Sequence, residues 1–241
     1  MLRCGKAVEV MGAHYLVKTR LIIAALVLGA ATVHAAKDAP GAKEILRQVR
    51  LSQAAQEETL QGHLRTGGTK IPVRIVIEGS TMRYDFPKPP SLLLTFNEGG
   101  SRLQEVGKGG SGTVKGAEYA TRVQGSDISY EDLSMNFLYW PDAEVIGEET
   151  RLTRKCWVVE VHPGKEPSQY GTVRLWVEQK SGALLGAEAY NRAGKLARRF
   201  TVRSVQKVRG AYFLKQMRIE STAEVGGKEG APTYLEITKV G

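Results

Sequence analysis

Cys156-Trp157-Val158-Val159-Glu160-Val161 and Thr172-Val173-Arg174-Leu175-Trp176-Val177-Glu178 are the stretches whose reading decides the fold class. In each, apolar side chains recur at every second position, the repeat of a strand with one buried face. Trp157, Val159 and Val161 share one such face, and Val173, Leu175 and Val177 share another. The same period runs outward in both directions. Val73, Ile75 and Ile77, then Leu92, Leu94 and Phe96, precede these stretches; Phe200 and Val202, Phe213, Met217 and Ile219, and Leu235 and Ile237 follow them. Gly99-Gly100, Lys180-Ser181-Gly182, Asn191-Arg192-Ala193-Gly194, Arg209-Gly210, and Gly226-Gly227 with Gly230 punctuate the series. Short strands at regular intervals with tight turns predict an antiparallel meander, and there is no strand–helix alternation to build a parallel sheet.

Only two helical segments are legible. Gly41–Thr59 places Ala42, Ile45, Leu46 and Val49 on one face, with Pro40 at its start. Asp127–Leu138 reads as a shorter helix, with Asp127 or Ser129 as its cap and Glu131 and Asp132 at the positive end of its dipole. Ile128, Leu133, Phe137 and Leu138 form its approximate apolar face. Roughly ten strands, each with about three inward apolar side chains, make a sheet large enough that it must curl. Two short helices are too little to plug it. The count therefore predicts a mainly β (α+β) fold with a hydrophobic hollow under a partial helical lid. A fully packed barrel or sandwich is the alternative that pattern alone leaves open.

The remaining features bound the function. Of 241 residues, 24% are charged and the formal net charge is +9, a composition that excludes a disordered chain or a multi-spanning membrane protein. Leu21–Ala31 is an apolar run of 11 residues, shorter than the ~20 a membrane span needs. Lys18 and Arg20 precede it and Val33-His34-Ala35 follows, so residues 1–35 read as a cleaved secretory signal, with Met1 or Met11 as the start and 36–241 as one domain. Cys156 is then the one thiol left, placed in an apolar strand as an inert core residue. His63 and His162 lie far apart, so no metal-ligand spacing is visible, and no cofactor is expected. Neither G-x-S-x-G nor H-E-x-x-H occurs. Gly107-Lys108-Gly109-Gly110-Ser111-Gly112 matches G-x-G-x-x-G but is not followed by a helix, so it reads as a hairpin or loop tip.

From Arg192 to Arg218 there are nine Lys or Arg and no Asp or Glu. The bland reading is a solvated outer face that discourages edge pairing. The functional reading is a patch for an anionic partner, centred on Arg198, Arg199 and Arg203, that meets lipid headgroups or acidic polymers. Stacking aromatics are lacking, which argues against nucleic acid.

Gly125-Ser126-Asp127-Ile128-Ser129-Tyr130-Glu131-Asp132-Leu133 resembles the GSD-x-SYEDL signature of LolA-like outer-membrane lipoprotein-sorting proteins. Gly125, Ser126, Asp127, Tyr130 and Asp132 are the motif positions. Tyr170–Val177 is similar to that family's strand ending in LWV, and Ala189–Leu196 to its YD-x-x-GK-L hairpin. The resemblance implies an incomplete, strongly curved antiparallel barrel with helices over its mouth. It also implies a periplasmic, non-enzymatic, monomeric carrier of lipid or lipoprotein acyl chains that makes transient contact with a membrane-bound donor or acceptor. On that reading Val73, Ile75, Ile77, Leu94, Phe96, Trp157, Val159, Leu175 and Val177 line the cavity, and Ile45, Val49, Leu133 and Phe137 form the lid. The rival from another class is an envelope-stress sensor or adaptor that uses the same fold to hold a protein partner.

Overall fold

The computed structural model describes residues 40–54, 57–107, 109–165, 167–222 and 231–241. The expected signal peptide and the turn at Gly226, Gly227 and Gly230 lie outside the described residues. Among the described residues no helix is long and apolar enough to cross a membrane.

Helix α1 (Ala42–Ala54) leads into thirteen strands. The first six are β1 (Glu57–Thr66), β2 (Thr69–Glu78), β3 (Thr81–Asp85), β4 (Ser91–Asn97), β5 (Gly100–Gly107) and β6 (Gly110–Thr113). Helix α2 (Tyr130–Ser134) lies in the connection that follows. The remaining seven are β7 (Asp142–Arg151), β8 (Arg154–His162), β9 (Tyr170–Glu178), β10 (Leu184–Asn191), β11 (Leu196–Val208), β12 (Ala211–Ser221) and β13 (Thr233–Val240). They form one antiparallel, curved, open sheet in the order β6-β5-β4-β3-β2-β1-β13-β12-β11-β10-β9-β8-β7.

This order has a consequence for the interior. The first and last strands pair in the middle of the sheet, and the two free edges, β6 and β7, are neighbours in sequence. Residues 114–141 must therefore travel from one edge to the other. The short way across a curved sheet is over its concave face, where this stretch forms a 3-10 turn at Gly116–Ala120, another at Val123–Gly125, helix α2 and a third 3-10 turn at Asn136–Tyr139.

Two expected helix limits are corrected. Residues Glu57–Thr59, read as helix, are the start of β1, where they pair with Glu78, Ile77 and Val76. The second helix is a single turn rather than twelve residues. Ser129, not Asp127, caps it: Asp132 N donates to Ser129 Oγ at 3.2 Å and Ser129 N donates to Asp132 Oδ2 at 2.8 Å, a reciprocal box. Met135 ends it with a left-handed φ of 48°. The Gly-rich segment is part of the β5–β6 hairpin, as its reading as a hairpin tip requires.

The β1–β13 seam, where the two halves join, is knitted on its outer side around Glu236. Arg65 Nη2 lies 2.7 Å from Glu236 Oε1, His63 Nε2 lies 2.7 Å from Oε2, and Gln216 Nε2 donates to Oε1 at 2.9 Å. The Arg65 hydrogen bond above all holds the carboxyl down at about 2, against partial burial, which acts the other way. A carboxylate depressed on folding contributes stability above its unfolded pKa and loses it as pH falls through the folded value. Acidification from about pH 4.5 toward about pH 2 is thus expected to weaken the fold through this seam. Urea midpoints at about pH 6 and about pH 3 should converge more in Glu236→Gln than in the parent protein.

Candidate functional site: the covered concave face

The inward strand faces form two contiguous apolar beds. One is built from β8, β9 and β10 and includes Val159, Val161, Val173, Leu175 and Val177. The other is built from β1–β5, β12 and β13 and includes Val73, Ile75, Ile77, Leu94 and Leu103. Phe200 and Met135 pack against both. All nine residues expected to line a cavity face this interior, Phe96 and Trp157 as half-buried members and the other seven fully buried.

Among the described residues the two beds are covered by apolar side chains from two segments. Helix α1 lays Ala42, Ile45, Leu46 and Val49 on the first bed. The connection between β6 and β7 contributes Val114, Val123, Ile128 and Tyr130 to the second, and Phe137, Leu138 and Trp140 to the first. The sequence places Ile128, Phe137 and Leu138 on the second helix but does not mark Val114, Val123, Tyr130 or Trp140 as cover, because most of this connection is 3-10 turn and irregular backbone that carries no 3.6-residue repeat. Of the four expected lid residues, Ile45, Val49 and Phe137 are buried against the first bed and Leu133 packs, half-buried, on the second. Two depressions of the described surface lie on the outer face of β9–β11 and beside Glu57 and Glu58.

The two covers are held by different chemistry. Helix α1 is held by its apolar stripe and by Arg50, whose Nη1 donates to Leu138 O at 2.6 Å and whose guanidinium lies 5.0 Å from the Tyr139 ring centroid. Helix α2 is held by buried polar groups. Tyr170 Oη donates to Asp132 Oδ1 at 2.5 Å, and Arg198 Nε lies 3.5 Å from Asp132 Oδ2 with both side chains 1% exposed. Arg198 also donates to Ser221 Oγ. Beside it, Glu131 accepts from Ser168 Oγ and from Gln169 N at 3.1 Å, while Gln169 Nε2 donates to Ser129 Oγ at 2.9 Å. Burial pushes the Glu131 carboxyl above, and the Tyr170 phenol well above, their usual ranges. Ser101 Oγ donates to Ser134 O at 2.8 Å, and Tyr130 Oη to Glu105 Oε1 at 2.7 Å.

The signature residues therefore build a latch. Ser129 and Asp132 make the cap, and Asp132 also receives Tyr170 and Arg198. Ser126 Oγ accepts from Ile128 N at 3.2 Å, Asp127 pairs loosely with Arg122 at 3.9 Å, and Gly125 supplies a left-handed turn at φ 75°. Arg198 is a correction. It is not part of a solvent-facing basic patch, because it shares the alternation of Phe200 and Val202 and so points inward. Arg199 and Arg203 do lie on the outer side. The parity with Phe200 is the signal that identifies Arg198, whereas nothing local in the sequence marks Tyr170, Ser168 or Ser221 as its neighbours. Among the described residues no group of three or more His, Cys, Asp or Glu is placed to hold a metal ion.

A one-sheet, concave, helix-covered architecture of this kind defines the LolA-like fold class. A domain described as an outer membrane lipoprotein-sorting protein from Vibrio parahaemolyticus superposes with a TM-score of 0.66 at 15% identity, over 83% of this chain and 91% of that one. A DUF1329 family protein from Desulfovibrio piger gives 0.61 at 18%, over 83% and 92%, and a LolA superfamily protein from Nitrosomonas europaea gives 0.60 at 15%, over 84% and 93%. At these identities the likeness is one of fold. A family model described only as "Uncharacterized protein" matches residues 112–240, more than half of the chain, and the chain belongs to that family. No curated protein matches the sequence.

Proposed function

We propose that the protein is an exported, non-catalytic carrier that takes acyl chains of a lipid or lipoprotein onto its concave face, with α1 as the cover that lifts. The observation that supports this reading is the division of the covering layer. Over the first bed, α1 is held by its apolar stripe and by one side chain, Arg50, whereas α2 is pinned by a buried ion pair.

Magnitudes favour α1 as the moving part. Lifting it exposes Ile45, Leu46 and Val49, at ~1.5–3 kcal/mol each, or ~5–9 kcal/mol together, and loses the Arg50 hydrogen bond, worth about 1 kcal/mol net. An acyl chain of about sixteen carbons gains ~12 kcal/mol on full burial at ~0.8 kcal/mol per methylene, so it can displace the helix. Freeing α2 breaks the Asp132–Arg198 pair as well, at a further ~3–5 kcal/mol. The carrier thus needs no preformed cavity: the ligand takes the place of α1, and α1 returns when the chain leaves.

A disulfide across the lid tests this. A Cβ built on Gly182 lies 3.5 Å from Gln48 Cβ, within disulfide reach, at the cost of ~1–2 kcal/mol for the left-handed backbone there. Gln48→Cys with Gly182→Cys is expected to abolish uptake of a fluorescent fatty-acid probe when oxidised and to recover it on reduction. Equal uptake in both states overturns the proposal. Cys156 is fully buried and leaves the redox readout clean.

A further inference from the structure

The outer, convex side of the sheet carries a second feature, remote from the acyl bed. Four large hydrophobic side chains are exposed among the described residues: Leu51, Leu152, Val205 and Tyr212. Three of them lie on the β7–β8 and β11–β12 hairpins, alongside basic residues. Along β11 the outward positions include Arg199, Thr201, Arg203, Val205 and Lys207. Tyr212 stands opposite Lys207 in the β11–β12 register, with the ammonium 5.7 Å from its ring centroid, and Leu214 stands opposite Val205.

At one end of this stripe is a groove of about 260 Å³. Trp176, Leu185 and Gly186 lie along it, and Leu152, at the tip of the β7–β8 hairpin, reaches its rim. Arg151 lies 4.2 Å over the Trp176 ring, and the indole N–H donates to Glu149 at 2.8 Å. Arg199 is held by Glu188 at 2.8 Å and Arg151 by Glu149 at 3.3 Å, so these two guanidinium groups are oriented and largely neutralised. Arg203 and Lys207 are exposed and have no ion-pair partner among the described residues. The uncompensated positive charge thus sits between exposed Leu152, Val205 and Tyr212.

We propose that this outer face docks the protein on an anionic lipid bilayer, with lipid phosphate groups meeting Arg203 and Lys207 and the apolar side chains entering the interfacial layer. The chemistry is mixed in the way a bilayer surface requires. Cations attract the negative leaflet, while a tyrosine and branched aliphatics suit the boundary between headgroup and hydrocarbon. An acidic protein surface would match the charge but leave Leu152, Val205 and Tyr212 without apolar partners. The inference is independent of acyl binding, because the stripe and the bed lie on opposite faces of the sheet.

The test is flotation of the full mature chain with phosphatidylcholine vesicles, with and without about one-third phosphatidylglycerol. The protein is expected to float with the anionic vesicles alone and to dissociate as salt rises. Arg203→Gln with Lys207→Gln is expected to weaken partition by about thirtyfold. Leu152→Ser with Tyr212→Ser is expected to weaken it at unchanged charge, while salt sensitivity persists. Both pairs are exposed, and matching thermal melts check that the fold is retained. Flotation that is absent, indifferent to both double variants, or replaced by binding to soluble polyglutamate overturns the proposal. Glycerophosphate that competes fully with vesicles also overturns it, since a free phosphate ligand would then suffice. Fatty-acid probe uptake in the same variants is expected to be unchanged, so failure of docking is read separately from failure of the carrier reading.

Discussion

Arg198→Met is expected to remove about 3–5 kcal/mol of stability, because it leaves the Asp132 carboxylate buried without its cation. Both side chains are 1% exposed, so water cannot replace the lost partner. For a chain of this size the change corresponds to a melting point lower by about 6–20 °C. Ser221, which accepts from Arg198, loses its donor at the same time. Asp132 keeps the Tyr170 hydroxyl and the Ser129 amide as donors, so the site is weakened rather than emptied. The companion experiment is Asp132→Leu combined with Arg198→Met. Removing both charges at once should restore a large part of the loss, since a buried pair is often no better than apolar groups of similar size. A double-mutant cycle reads the difference as a coupling energy. Additive losses, or a single-variant loss under about 1 kcal/mol, would show that the pair does not close as described.

Gly62→Ala is the second large effect. β1 carries a register shift between Gln61 and Gly62 against β13, and there the two backbones come together closely. A Cβ on Gly62 would sit 2.0 Å from the Glu236 carbonyl oxygen and 3.1 Å from the Ile237 Cα. These are backbone atoms of a central strand, so they can move only by breaking the pairing that joins the two halves of the sheet. The expected cost is about 3 kcal/mol, at the upper end for overpacking. Gly107→Ala is the control: its Cβ would meet nothing within 4 Å, and a change within about 0.5 kcal/mol is expected. Equal urea midpoints for the two variants would refute the close approach at Gly62.

The strand alternation was legible because it follows from a simple constraint. A strand with one buried face must place apolar side chains at every second position, and Val173, Leu175 and Val177 do so whatever lies beside them. Helix α1 was legible for the same reason at a different period. β1 was not, because only Leu60 and Leu64 of its ten residues are buried and polar side chains occupy the rest. Its place in the sheet comes from backbone pairing on both sides, which leaves no mark on side-chain pattern. Arg198 was half legible: its parity with Phe200 was visible, yet its charge pointed the reading outward. An arginine is placed in a core only where a carboxylate is waiting for it, and Asp132 lies sixty-six residues away in the chain.

By itself, then, the sequence determined a curved antiparallel sheet with one apolar face and a helix to lay upon it, since those depend on the period of residues close together in the chain. Which segments lie over that face was decided only in three dimensions. The first and last strands pair at the centre, the free edges fall next to each other in sequence, and the segment between them has to cross the concave side. Its plug of Val123, Ile128, Phe137, Leu138 and Trp140, and the latch that holds it, follow from this strand order, and contacts between residues so far apart in the chain have no local repeat to announce them.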